Sequence, residues 1–310
     1  MLNRRHIRIK VMQALYAFKG NESEDLKVTD KFLNESLNSM YDLYLSMLCL
    51  IVEVHKKAED HQSKSQKKFL ATQAEKNPNQ KFVKNEVLMM LNSNEALKSE
   101  LEHRKLNPWY LDFEYVDLTF KAITESDLYS DYMSTSVSTF KEDKNFVISI
   151  FEDIIAPNDK LYDYFEDKKL TWLDDIPVVN TSIMKLLKKL KPSTSEQHFL
   201  PKLFKDEDDR AFGVDLLNKT ILNQAAFSEE IASKTKNWDS ERITQIDTVL
   251  MQMAICEFQK FPSIPVKVTI NEYLEVAKEY STPKSSNFIN GILDKIVKEN
   301  KFNKVGRGLL

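Results

Sequence analysis

"KVTINEYLEVAKEYSTPKSSNFINGILDKIV", residues 267 to 297, decides the fold class. Ile270, Leu274 and Ala277 recur on one helical stripe, entered through a Thr269 to Glu272 spacing that matches a capping box. A turn with Pro283, Lys284, Ser285, Ser286 and Asn287 follows, and a second helix then buries Ile289, Ile292, Leu293 and Ile296. Phe288 stands ~90° off the middle of that last stripe, at ~100° per residue. Either it packs against a neighbouring element, or something outside the chain stacks on it. The hydroxyls and amides of the turn can cap the last helix or meet phosphate oxygens at its positive end. Gly291 faces away from the stripe, where it costs ~1 kcal/mol relative to alanine. Close approach of another surface would explain it.

The rest of the composition agrees with a helical protein. The chain has 310 residues and 5 glycines, at Gly20, Gly213, Gly291, Gly306 and Gly308. Phosphate-cradling loops, dinucleotide fingerprints and nucleophile elbows need clustered glycines, and none can be built here. Abundant Lys, Glu, Leu, Asn and Met point to an all-α fold. The net charge is −3, so any affinity for nucleic acid must reside in a local patch. Cys49 and Cys256 are far apart and sit in apolar helical patterns, which predicts reduced core thiols. The start, "MLNRRHIRIK", lacks the apolar segment of a secretory signal, and the chain reads as cytoplasmic, with no membrane partner.

Residues 4 to 19 are predicted to form the first helix, with Ile7, Val11, Ala14, Leu15 and Phe18 inward, Asn3 as N-cap and Gly20 as terminator. Longer helices are expected from about 28 to 61 and from about 64 to 106, the second interrupted near Asn77, Pro78 and Asn79. The polar stretch 64 to 105 reads as a solvated helical excursion. A repeat follows: shifted by 66 residues, Phe146 falls on Phe212, Ile155 on Ile221 and Trp172 on Trp238. With one residue more, Thr181 falls on Thr248 and Met184 on Met251. A duplicated helical unit would show the same helices in the same order in both segments. The charge run at 205 to 210 lacks the glycine and terminal glutamate of a calcium loop, so it is expected to cap or solvate the next helix. These features divide the chain into 1–130, an inserted or duplicated unit at 131–198, and 199–310.

No pair of catalytic carboxylates, metal cluster or nucleophile triad emerges, and neither an enzyme nor a cofactor is expected. Arg4, Arg5, His6, Arg8 and Lys10 crowd a helix start, where the macrodipole disfavours cations. They form either a solvated charged end or a phosphate-gripping patch. Basic side chains beside an aromatic such as Phe288 suit single-stranded RNA.

The stretches "NWDSERITQIDTVLMQMAICEF", "IPVKVTINEYLEVAKEY" and "SSNFINGILDKIV" occur in the order and spacing of the NusB transcription-antitermination family, and "RRHIRIKVMQALYAF" resembles that family's Arg-rich first helix. The resemblance covers residues 238 to 297 and 4 to 18, in a chain roughly twice the family's length. It implies two packed helical bundles without catalysis, binding boxA RNA of ribosomal RNA leader transcripts jointly with NusE, a ribosomal protein. It further implies a place in the RNA polymerase elongation complex with other Nus factors. By the same resemblance Arg4, Arg5 and Arg8 are RNA contacts, with Lys284 and Phe288 near the RNA site, and the basic run and the turn themselves add Lys10 and Ser285. Tyr16 is structural, Asp247 faces NusE, and Glu257 is either a second contact to NusE or a structural residue. His6 interrupts the arginine run and weakens the patch. The partner face is expected on the C-terminal copy of the repeat. Two other readings compete: a protein–protein scaffold without RNA recognition, and the RNA-binding arm of a methyltransferase, against which the missing glycine-rich cofactor loop argues.

Overall fold

A computed structural model describes residues 1–20, 25–70, 72–235, 243–300 and 302. Trp238, the start of its motif, Gly306 and Gly308 lie outside the described residues. Among those described there are helices and turns but no strand. The helices are α1 (Arg4–Gly20), α2 (Leu26–Gln66), α3 (Gln73–Lys76), α4 (Glu86–Asn92) and α5 (Glu95–His103). Then come α6 (Phe113–Thr124), α7 (Asp127–Met133), α8 (Phe140–Ile150), α9 (Asp159–Lys168) and α10 (Ile176–Lys189). The last five are α11 (Glu207–Leu222), α12 (Gln224–Thr235), α13 (Gln245–Lys260), α14 (Val266–Tyr280) and α15 (Ser285–Asn300).

Two compact units share the chain. The terminal unit joins Leu2–Leu37 to Phe204–Leu310, and the inserted unit consists of Met1 and Asn38–Leu203. Helix α2 begins in the first and continues in the second. By length and composition α2 could cross a bilayer, but 83% of its apolar window is buried by the protein itself, as in a core helix.

The terminal unit is built around α13, which packs against α1, α11, α12, α14 and α15. Every residue from Val249 to Phe258 is buried, so this helix is enclosed on all sides. A Thr244–Asp247 capping box starts it. Helix α1 starts as expected, with the His6 amide donating to Asn3 Oδ1 at 3.0 Å. Where α1 crosses α11, Gly213 leaves no room for a side chain: a Cβ would lie 2.9 Å from Ile7 Cγ2. The charge run before α11 caps it, with Asp206 accepting from the Asp209 amide at 3.0 Å.

In the inserted unit α8 packs against α4, α7 and α10. Trp109 donates to the Ser46 carbonyl at 2.9 Å and Trp172 to that of Ser39 at 2.8 Å, tying loops to α2. Buried Asp143 accepts the Tyr132 hydroxyl at 2.5 Å and the Glu86 amide at 2.7 Å. The break expected near Asn77, Pro78 and Asn79 falls between α3 and α4, but the rest of the 64 to 106 stretch is three short helices, α3, α4 and α5, separately capped by Thr72, Asn85 and Asn94. Nor is the segment merely solvated, since Phe82, Val87, Leu88, Leu91 and Leu97 are buried. The side chains of those three residues bind backbone N–H groups and so restart the helix each time.

The two segments of the expected repeat can be compared by their elements, apart from the 3-10 turn Leu170–Trp172, whose counterpart lies outside the described residues. Helix α8 with its π-helical continuation Phe151–Ile155, then α9 and α10, matches α11, α12 and α13 in number and order among the described residues. Phe146 and Phe212 are buried in their respective units. Pro177 occupies the first turn of α10, where its missing N–H is no loss.

Candidate nucleic-acid interface

The arginines of α1 meet carboxylates from three other helices of the terminal unit. Arg4 donates Nε to Asp209 of α11 at 2.8 Å. Arg5 forks onto Glu272 of α14, with Nε and Nη2 each 2.9 Å from a carboxylate oxygen. Arg8 forks onto Glu257 of α13 at 2.7 and 2.8 Å. Glu257 also accepts the Tyr273 hydroxyl at 2.6 Å and the Thr269 hydroxyl at 3.1 Å. Four residues apart, Arg4 and Arg8 lie on one face of α1 and share the ring of Phe212, at 5.1 and 5.2 Å from its centroid. Cations at a helix start, unfavourable for α1 alone, are therefore stabilised by tertiary pairing.

The three differ in access. The Arg4 and Arg5 side chains keep 40% and 38% of their exposure, while Arg8 keeps 3%. Burial works against the Arg8 charge, but its bonds to Glu257 and the surrounding negative charge outweigh it, and its pKa rises well above the ordinary arginine value. The bond from Arg5 holds the Glu272 carboxyl below its ordinary value, against the opposing effect of burial. Burial, then the nearby Glu257 charge, pushes the Tyr273 hydroxyl far up, so it stays a hydrogen-bond donor.

Arg4, Arg5 and Glu272 line a cleft of about 570 Å³ with Asn3, Ser263 and Pro265. Arg4 commits only Nε to its acid, and both outer guanidiniums reach solvent. This arrangement presents fixed N–H donors of the kind that bind phosphate oxygens.

Arg8 also lines this cleft, but as a strut only 3% exposed, and Lys10 is 2% exposed. Lys284 is exposed and Phe288 half-buried. Ser285 is buried and donates to Asp247 Oδ2 at 3.0 Å, while Ser281 donates to Oδ1 at 2.6 Å. Asp247 thus ties the start of α13 to the α14–α15 turn, and both it and Glu257 are 1% exposed. Neither has a surface to offer a partner. Tyr16, expected as structural, is 46% exposed. The eight residues from Glu272 to Tyr280 span ~12 Å of helix at ~1.5 Å each, so the cleft and the Lys284–Phe288 turn are separate places along α14.

Sequence reasoning did not assign Asp209, Phe212 or Tyr273 to the site, and Thr269 and Glu272 were visible only as the two halves of a capping box. Helix α14 begins at Val266 instead, which puts both residues inside it and frees Glu272 for Arg5 and the Thr269 hydroxyl for Glu257. An unexplained run of cations at a helix start was the one signal that acids lay elsewhere in the fold.

The model of the NusB family matches residues 179–298. The Transcription antitermination protein NusB of Salinibacter ruber is 39% identical over 119 residues, 36% of this chain and 74% of that protein. That of Citrifermentans bemidjiense is 37% identical over 110 residues, 36% of this chain and 75% of its own. In Geotalea uraniireducens the NusB protein is 42% identical over 86 residues, 28% of this chain and 59% of its own. No solved structure matches the chain. With the all-α terminal unit, its arginine-led first helix and relatives covered over more than two thirds of their length, the chain belongs to the NusB family.

Proposed function

We propose that this chain is a transcription antitermination factor that binds boxA-type RNA of ribosomal RNA leader transcripts together with NusE, and acts within the elongation complex rather than as an enzyme. The observation that carries this is the pair of outward-reaching arginines, Arg4 and Arg5, fixed by Asp209 and Glu272 at the rim of an open cleft. A guanidinium held in place loses less freedom on meeting a phosphate than a free one. Lys284 and Phe288 extend the path at the far end of α14, where a flexible strand of a few nucleotides can continue. Arg8, Asp247 and Glu257 support this face from within by fixing α1, α13 and α14.

The test is RNA binding by the intact protein mixed with NusE, measured over a range of salt. Replacing Arg4 and Arg5 with glutamine should weaken binding of boxA-type RNA and lower the salt slope by about 1 to 2. Unchanged affinity and slope in that variant would refute the arginine face. Protein association with NusE that persists without any RNA binding would favour the scaffold reading.

A further inference from the structure

We propose a second ligand site, in the inserted unit: a pocket that takes a phosphate-bearing nucleobase. A cleft of about 350 Å³ opens between the C-terminal half of α2, the Pro78–Val83 turn, α6 and α7. Its volume lies in the ordinary range for small-ligand sites. Phe82, Phe120 and Tyr129 supply aromatic walls, with Phe82 and Tyr129 edge-to-face at 5.4 Å. His61 leans on Phe120 with ring centroids 5.7 Å apart.

Polar groups converge on the same space. His61 is exposed and Ser65 half-buried at the cleft, and neither side chain hydrogen-bonds within the protein among the described residues, so both are open to solvent or a ligand. Gln62 donates its amide to the Asn79 carbonyl at 3.3 Å, which leaves its side-chain oxygen as an acceptor. Aromatic walls edged by solvent-facing donors and acceptors suit a heterocycle better than an aliphatic chain, whose burial would strand those groups.

Charge narrows the class further. Between His55 and Lys84 eight lysines stand against three acidic residues, in a chain whose net charge is −3. Three of the lysines flank the pocket. Lys57 and Lys64 lie one helical turn either side of His61, paired with Asp117 and Asp60 at 2.6 Å each, and Lys68 reaches Glu75 of the pocket wall at 2.8 Å, so a phosphate would exchange with these carboxylates. Ring walls with lysines at the mouth form the pairing that holds a base and its phosphate. The site depends on neither Arg4 nor Arg5.

The experiment uses the full-length chain carrying Arg4→Gln and Arg5→Gln, so that the α1 face does not mask the pocket. A short single-stranded RNA containing 4-thiouridine is bound, photocrosslinked and mapped, and its affinity is read by fluorescence anisotropy. Crosslinks should fall on the peptides bearing His61, Phe120 or Tyr129. Phe120→Ala and His61→Ala, each checked for unchanged helicity, should weaken binding about 5- to 100-fold. An abasic strand of the same length should bind as poorly as those variants. Uridine monophosphate that competes for the crosslink identifies a free nucleotide as the source, and competition by the strand alone identifies RNA. Affinities within twofold of the parent for both variants, equal binding of the abasic strand, or crosslinks confined to α1 would overturn the proposal.

Discussion

The Arg8–Glu257 pair shows how much a single buried charge can determine. Both side chains are almost fully enclosed, and each is compensated by the other, by Tyr273 and by Thr269. Removing one partner leaves an uncompensated charge, so Glu257→Ala should cost about 3–5 kcal/mol in urea unfolding. The double replacement Arg8→Met with Glu257→Leu should lose far less than the two single changes added together, because no charge is left stranded. The half-exposed Arg5–Glu272 pair behaves differently with pH. Its carboxyl sits below the ordinary value of 4.5, so across that interval the unfolded chain binds more protons than the folded one. The stability it contributes is complete above about pH 4.5 and lost as pH falls through the lower folded value. The urea midpoint of the parent should therefore exceed that of Glu272→Gln by a constant margin near neutral pH, and the margin should shrink in acid. Residue types marked Arg4 and Arg5 as functional candidates, but nothing in their spacing distinguished them from Arg8. That distinction arises from where α11, α13 and α14 place Asp209, Glu257 and Glu272.

At the level of elements, two helical glycines have opposite meanings. Gly213 admits the close crossing of α1 and α11, so Gly213→Ala should destabilise by about 1–3 kcal/mol despite alanine's better helix propensity, since the β-branched Ile7 cannot turn its methyl away freely. Gly291 has open space where a Cβ would go, and Gly291→Ala should raise stability by ~0.5–1 kcal/mol. If another molecule rests on that face, the same change will lower its affinity while the unfolding midpoint rises. Helices α1 and α15 could be read from sequence because their apolar stripes and flanking residues agree, and the stripe of α14 was legible although its start was not. The segment 64 to 106 could not, since its thin apolar pattern supports either one long helix or several short ones. There the choice lies with Asn85 and Asn94, whose side chains cap new helices only once tertiary contacts bury the leucines that follow.

For the whole molecule, each unit carries one cysteine, and the pair can report on the two halves separately. Burial pushes the Cys49 thiol up to about 12 and the Cys256 thiol up to about 11. Both should resist thiol reagents in the native protein and react in urea, and a difference in their labelling midpoints would show that the inserted and terminal units open independently. The all-α character was legible throughout. The discontinuous make-up of the terminal unit was not, because helical periodicity says which face is buried but not which distant helix covers it. That discontinuity has a consequence for synthesis on the ribosome. The acids that receive Arg4, Arg8 and Arg5 lie 205, 249 and 267 residues downstream. At about 5–20 residues per second, the leading helix emerges and then waits some 10 to 50 seconds for its counter-charges to be translated. Throughout that interval the inserted unit is free to mature, and the arginine face exists only once Glu272 has been translated, so a chain stopped before that point carries the cations without the scaffold that aims them.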